Sequence, residues 1–149
     1  MRIFRRRKLH PRHRTVRGPQ RAHYLRHKEA ARRIIVSRLH HHNAHYGFVW
    51  GRVAIKAQRS RWGSCSSLGN LNFNYRILFL PPHLQDYIIV HELCHLAELN
   101  HGPRFWALVA ERCPEYRAHQ KELRTYEGYA AAADSRAPAA SSATRVCVP

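Results

Sequence analysis

The sequence predicts an α+β domain in which a long N-terminal helix precedes a small antiparallel sheet and a second, buried helix. Between residues 21 and 46, apolar residues recur at the spacing of one helix face. Two later stretches are rich in Val, Ile, Phe and Tyr and are bounded by turn residues, which is typical of strands. A further apolar stretch begins at a Pro-Pro pair, a common helix start.

Size and composition fit a single globular domain. The chain has 149 residues, of which 44% are apolar. No apolar stretch approaches the roughly 20 residues needed to span a bilayer, and no secretory signal pattern is present. The four cysteines have no paired metal-ligand spacing. We therefore expect a soluble, cytoplasmic protein with reduced thiols and no membrane partner.

Positive charge is concentrated at the beginning of the chain. The net charge is +17, and half of the 26 Lys and Arg residues lie within the first 33 positions. Residues 1–19 contain little periodic apolar content, which predicts a basic disordered arm. Such an arm suits non-specific nucleic-acid binding, but a solubilising or ribosome-proximal tail is the slightly favoured interpretation. Residues 20–129 form the predicted domain, and residues 130–149 a disordered tail rich in Ala, Ser and Pro.

The first predicted helix spans residues 21–46. Its apolar face is marked by Leu25, Ile34, Ile35 and Leu39. The histidines near its end are expected to form an exposed helix terminus; they are His40, His41, His42 and His45.

Two antiparallel strands are predicted over residues 48–57 and 71–80, with turns at Gly63 and at Gly69-Asn70. The second helix begins at Pro81-Pro82 and is expected to end near Asn100. Short helices follow over residues 104–112 and 116–126. The core behind the end of the second helix is predicted to contain Phe105, Trp106, Leu108 and Val109.

The second helix carries the sequence His91-Glu92-Leu93-Cys94-His95. On a helix, His91 and His95 lie one above the other on one face, so both imidazoles can hold one zinc ion. Glu92 lies about 100° round the helix, a position that suits a base acting on metal-bound water better than a ligand. The pattern is typical of metal-dependent hydrolases.

Several residues compete to be the third metal ligand. His101 is favoured because it lies ten positions after His91 and follows a predicted helix break at Asn100. Glu98 would lie about 10 Å along the axis of a straight helix from His91. A glutamate from a later helix, Glu111 or Glu115, is the remaining alternative.

Several motifs together resemble the YgjP-like metallopeptidase domain, a zincin-like family related to SprT-like proteins. They run from about residue 20 to 129 in the family's order: Tyr24 to Ala30, Arg61-Trp62-Gly63-Ser64-Cys65, Asn72 to Arg76, Leu80-Pro81-Pro82, and His91 through Trp106. The resemblance implies a zincin-like fold, zinc bound by His91, His95 and His101, and Glu92 as catalytic base. A pyrophosphatase activity on UTP has also been attached to this family.

We therefore expect a hydrolase with one Zn²⁺ per chain, most simply a metallopeptidase. Arg61 and Ser64 are candidate substrate-binding residues, although Arg61 could instead pair with a structural carboxylate while Trp62 packs on the sheet. A UTP pyrophosphatase is the first alternative, with Arg59, Arg61 and Arg76 as candidates to bind the triphosphate. A basic nucleic-acid-binding protein with structural zinc is the second.

Overall fold

The computed structural model describes residues 19–58 and 60–132. Three parts of the chain lie outside these residues: residues 1–18 of the predicted arm, Arg59, and residues 133–149 of the predicted tail. The described elements, in chain order, are α1 (Pro19–Tyr46), β1 (Val53–Lys56), β2 (Gly63–Cys65), β3 (Leu71–Asn74), a 3-10 helix (Tyr75–Phe79), α2 (Pro82–Cys94), α3 (Pro103–Arg112) and α4 (Tyr116–Ala132). The α+β class is confirmed.

The sheet is mixed, with the strand order β1-β3-β2. β1 runs parallel to β3, with Val53 opposite Leu71, and β2 runs antiparallel to β3, with Gly63 opposite Phe73. The predicted antiparallel pairing of the first and last strands is therefore wrong. The segment predicted to be a turn at Gly63 forms β2, which reverses the chain once more, so that β3 returns in the direction of β1.

The last strand is also shorter than predicted, because a 3-10 helix replaces its second half. Asn74 causes the change of conformation: its side-chain oxygen accepts a hydrogen bond from the backbone N–H of Arg76 at 3.2 Å and so caps the 3-10 helix.

α1 extends over the predicted residues, with two more at its start. Ala31, Ile35 and Leu39 are fully buried and lie at intervals of four residues on the face that packs against α2 and the 3-10 helix. Leu25, expected on the apolar face, is instead 56% exposed. The expected exposed terminus is also wrong for His42, which is buried and contacts Asp86.

α2 is the central helix of the core. Most of its residues are buried, and it starts after Pro81 as predicted. It ends at Cys94, well before Asn100, because the backbone tightens there: the N–H of Leu96 bonds the carbonyl of Leu93, three residues earlier. The chain is thereby free to turn back before α3.

α3 begins at Pro103 and buries Phe105 and Val109. α4 continues to Ala132, which is beyond its predicted end and three residues into the predicted tail. None of the described helices is long and apolar enough to cross a membrane.

Candidate metal centre

Three imidazoles converge at the end of α2. The Nε2 atom of His91 lies 3.2 Å from Nε2 of His95 and 3.1 Å from Nε2 of His101. Two nitrogens bound tetrahedrally to one zinc ion are about 3.3 Å apart, given Zn–N distances near 2.05 Å. The described residues contain one group of three or more potential ligands within 4.8 Å of one another, and it is this group.

Two different segments bring the histidines together. His91 belongs to the last turn of α2, and His95 directly follows the helix but keeps a helical backbone, with φ −66° and ψ −15°. The four-residue relation between them therefore survives the end of the helix. His101 comes from the connection to α3, where a bond from the N–H of Gly102 to the carbonyl of Asn100 marks a tight turn.

Backbone contacts orient two of the three rings. Nδ1 of His95 donates a hydrogen bond to the carbonyl of Glu98 at 3.0 Å, which leaves Nε2 with its lone pair directed towards the other histidines. Trp106 donates from Nε1 to the carbonyl of His101 at 3.1 Å, and its ring stacks on the His101 ring. Tyr116 stacks on Trp106 with a centroid distance of 4.9 Å.

Two of the three histidines, His91 and His95, have lowered pKa values that favour the neutral form. Burial first, and then the neighbouring His95 and His101, lower the pKa of His91 to about 3. Burial also lowers the pKa of His95. Neutral imidazole is the form that binds metals. Within the described residues, the buried Nδ1 atom of His91 has no hydrogen-bond partner.

Glu92 is 6% exposed and packs against the backbone of Gly63. Burial raises the pKa of its carboxyl to about 8, and the positive charge of Arg61 opposes this shift. Its buried Oε2 atom has no hydrogen-bond partner in the part of the chain that the structure describes. A cation held by the three histidines would stabilise the charged carboxylate that burial disfavours.

The alternative third ligands lie outside the cluster. The carboxylate of Glu98 pairs with Arg104 at 3.0 Å, and that of Glu111 pairs with His45 at 2.9 Å. Glu115 is exposed on the approach to α4. Sequence reasoning missed the role of Glu98 in the site, which is to supply its backbone carbonyl to His95; a backbone role leaves no side-chain signal.

The candidate substrate-binding residues lie on or beside β2. Arg61 is exposed, and Ser64 is half-buried, its Oγ accepting a hydrogen bond from the Asn72 amide at 3.3 Å. Trp62 is partly buried and packs against the core. Arg76 is buried and donates to the carbonyl of Gln58 at 3.4 Å, so this candidate for triphosphate binding contacts the protein's own backbone.

Comparisons with known proteins agree with this architecture. The model of the YgjP-like, metallopeptidase domain family matches residues 3–126. The crystal structure of the metallopeptidase zymogen of Pyrococcus abyssi abylysin is similar in fold, with a TM-score of 0.50 and 24% sequence identity over 60% of this chain and 95% of that chain. No curated protein matches this chain. The family match extends over most of the sequence, and the chain therefore belongs to the YgjP-like metallopeptidase domain family.

Proposed function

We propose that this protein is a zinc-dependent hydrolase that cleaves peptide bonds, with zinc held by His91, His95 and His101 and with Glu92 as general base. The observation that carries the proposal is the convergence of three Nε2 atoms at the end of α2, the helix in which the buried Glu92 directly follows His91. Family membership supports metallopeptidase chemistry.

The donor set fits zinc. Three imidazole nitrogens, at 3.1 and 3.2 Å from one another about His91, match a tetrahedral site in which one position is left for water or substrate. Structural zinc sites are usually closed by four protein ligands and are rich in Cys. The described cluster has three ligands and contains no Cys, which favours a catalytic site over the structural zinc of a nucleic-acid-binding protein.

A bound zinc ion would supply Lewis-acid activation of water and of the scissile carbonyl. Glu92 takes the proton from the attacking water and returns it to the leaving amine. The burial of its carboxyl excludes competing solvent, and the nearby charge of Arg61 favours the ionised form that accepts the proton. Arg61 is exposed beside this carboxyl and is placed to attract an anionic group of the substrate.

Peptide is favoured over nucleotide by the position of β2. This strand is last in the sheet order and contacts α2, the helix that carries His91, so an extended chain can pair with its outer edge. Of the three arginines considered for triphosphate binding, one is buried, one lies outside the described residues, and Arg61 alone is described as exposed.

The proposal is tested first by elemental analysis of the purified chain and of a His91→Ala, His95→Ala double variant. We expect one zinc per chain in the wild type and none in the double variant. A wild type that takes up no zinc contradicts the proposal.

Glu92→Gln separates metal binding from catalysis. It should keep its zinc while peptide hydrolysis falls by about 10²-fold or more, because general-base assistance is removed. Pyrophosphate release from UTP, measured on the same two proteins, tests the nucleotide alternative. Release by the wild type that is abolished in Glu92→Gln, without peptide cleavage, would replace the peptidase assignment.

A further inference from the structure

The side chain of Glu92 lies directly on the backbone of Gly63. A Cβ atom at Gly63 would be 2.6 Å from Oε1, 2.7 Å from Cγ and 2.8 Å from Cδ of Glu92. Non-bonded carbon atoms normally approach to about 3.5 Å. Any other residue at position 63 would therefore overlap three atoms of the proposed base.

The backbone conformation of Gly63 does not explain why the residue is glycine. Positive φ angles occur at Gly47 and Gly69 among the described residues, but not at Gly63. An L-residue can adopt the local conformation without strain. The space occupied by the Glu92 side chain is what excludes a larger residue.

The segment around Gly63 is fixed and cannot retreat from Glu92. Gly63 lies opposite the fully buried Phe73 in the sheet. The backbone N–H of Asn74 donates to the carbonyl of Trp62 at 2.7 Å, and the buried Asn74 amide donates to the carbonyl of Arg61 at 3.0 Å. These bonds attach the residues before Gly63 to the end of β3.

Glu92 has little room to retreat either, because it is 6% exposed and sits on the central helix α2. From this geometry we infer that Gly63 is a positioning residue: the missing side chain on β2 sets where the Glu92 carboxyl lies relative to the three histidines. The catalytic consequence rests on the proposed function, whereas the contact itself does not.

The contact is tested by a double-mutant cycle on the full chain, with thermal unfolding as the measurement. Gly63→Ala should lower the unfolding midpoint by roughly 5 °C or more in the wild-type background. In the Glu92→Ala background, which removes all three clashing atoms, the same change should cost less than about 2 °C. The double variant also keeps the test decisive if Gly63→Ala alone does not fold.

Gly51→Ala is the matched control. A Cβ there would meet Oδ1 of Asn70 at 2.8 Å and no atom of Glu92. Its effect on the unfolding midpoint should be the same in both backgrounds. An equal cost of Gly63→Ala in both backgrounds would overturn the inference, as would a double variant that fails to fold.

The catalytic rate distinguishes a positioning role of Gly63 from a merely structural one, because a structural role alone would leave kcat unchanged. With an internally quenched peptide, Gly63→Ala should keep one zinc per chain and an unchanged KM while kcat falls about 100-fold, the effect of a displacement near 1 Å. An unchanged kcat would overturn the positioning role. If the wild type binds no zinc and cleaves no peptide, the proposed function fails, and the thermal cycle still decides whether Gly63 positions Glu92.

Discussion

At the scale of single residues, the site depends on how each ligand is restrained. His91 and His95 are fixed by α2, but His101 comes from a connecting segment and is exposed. Its main support is Trp106, which bonds its carbonyl and stacks on its ring. The hydrogen bond restrains the backbone of His101 and the stacking restricts its ring, and restraints beyond the ligands themselves influence metal affinity.

Trp106→Phe keeps an aromatic ring but removes the hydrogen bond to His101. We expect the dissociation constant for zinc to rise about 10-fold, the lower end of the usual effect of removing such a partner. Competition with a chelator of known affinity measures it. Trp50→Phe is the control, since the contact described for its ring is with His40, outside the cluster. Equal affinities of the two variants would contradict the role of Trp106.

The raised pKa of Glu92 predicts how the stability of the metal-free protein depends on pH. The folded-state pKa is about 8, above the ordinary value of 4.5. Between these two pH values the unfolded state therefore binds fewer protons than the folded state. The contribution of Glu92 to the free energy of unfolding is therefore fully present below about pH 4.5. It is lost as pH rises towards 8, by at most about 1.4 kcal/mol per pH unit. Glu92→Gln cannot ionise and should not show this decrease.

Urea unfolding in EDTA from pH 4.5 to 8.5 measures the difference. The exposed Glu115→Gln is the control and should follow the wild type. Parallel pH profiles of the wild type and Glu92→Gln would show that the buried carboxyl is not protonated at neutral pH without metal.

At the scale of elements, an ionic contact joins the first helix to the metal-bearing helix. Asp86 on α2 accepts hydrogen bonds from Arg38 and His42, both on α1. Burial alone would raise the pKa of Asp86, but the bonds and charges of His42 and Arg38 together hold it below its ordinary value. The contact thus holds α1 against α2 five residues before His91.

Asp86→Asn should destabilise the protein by about 1–2 kcal/mol, because charge-assisted bonds are removed. Since the folded-state pKa of Asp86 is lowered, its contribution is present above the unfolded-state pKa near 3.9 and is lost as pH falls through the folded-state value. Denaturant unfolding at pH 6 and pH 3 tests this. A difference between the two proteins that persists unchanged at the lower pH would be inconsistent with it.

At the scale of the whole molecule, the charge distribution distinguishes the arm from the domain. Residues 1–19 contain eight Lys and Arg residues and no Asp or Glu, so they contribute +8 of the net charge of +17, whereas Lys and Arg are partly balanced by Asp and Glu in the rest of the chain. The proposed partner of this segment is nucleic acid, bound through phosphates without sequence specificity. The proposed zinc site and the basic arm would then be two separate functional regions of one chain.

Deleting residues 1–18 should weaken binding to a random DNA duplex and reduce the slope of log affinity against log salt, by about 0.9 for each phosphate that the arm neutralises. Fluorescence anisotropy at several salt concentrations measures both. Zinc content is the control and should stay at one per chain. An unchanged slope would leave the arm without a role in nucleic-acid binding.

The sequence alone determined the features that depend on local spacing. A separation of four residues places His91 and His95 on one helix face whatever surrounds them, and prolines and apolar periodicity located α1 and the start of α2. The α+β class followed from the same patterns.

Only the tertiary structure decided the features that depend on distant residues. The parallel pairing of β1 with β3 requires the reversal at β2, which local patterns interpret as a turn. The early end of α2 brings His101 to His91, and the close approach of β2 to α2 requires Gly63. Strand pairing and side-chain contact are set by packing between segments far apart in the chain, and the spacing of residues within one segment does not encode them.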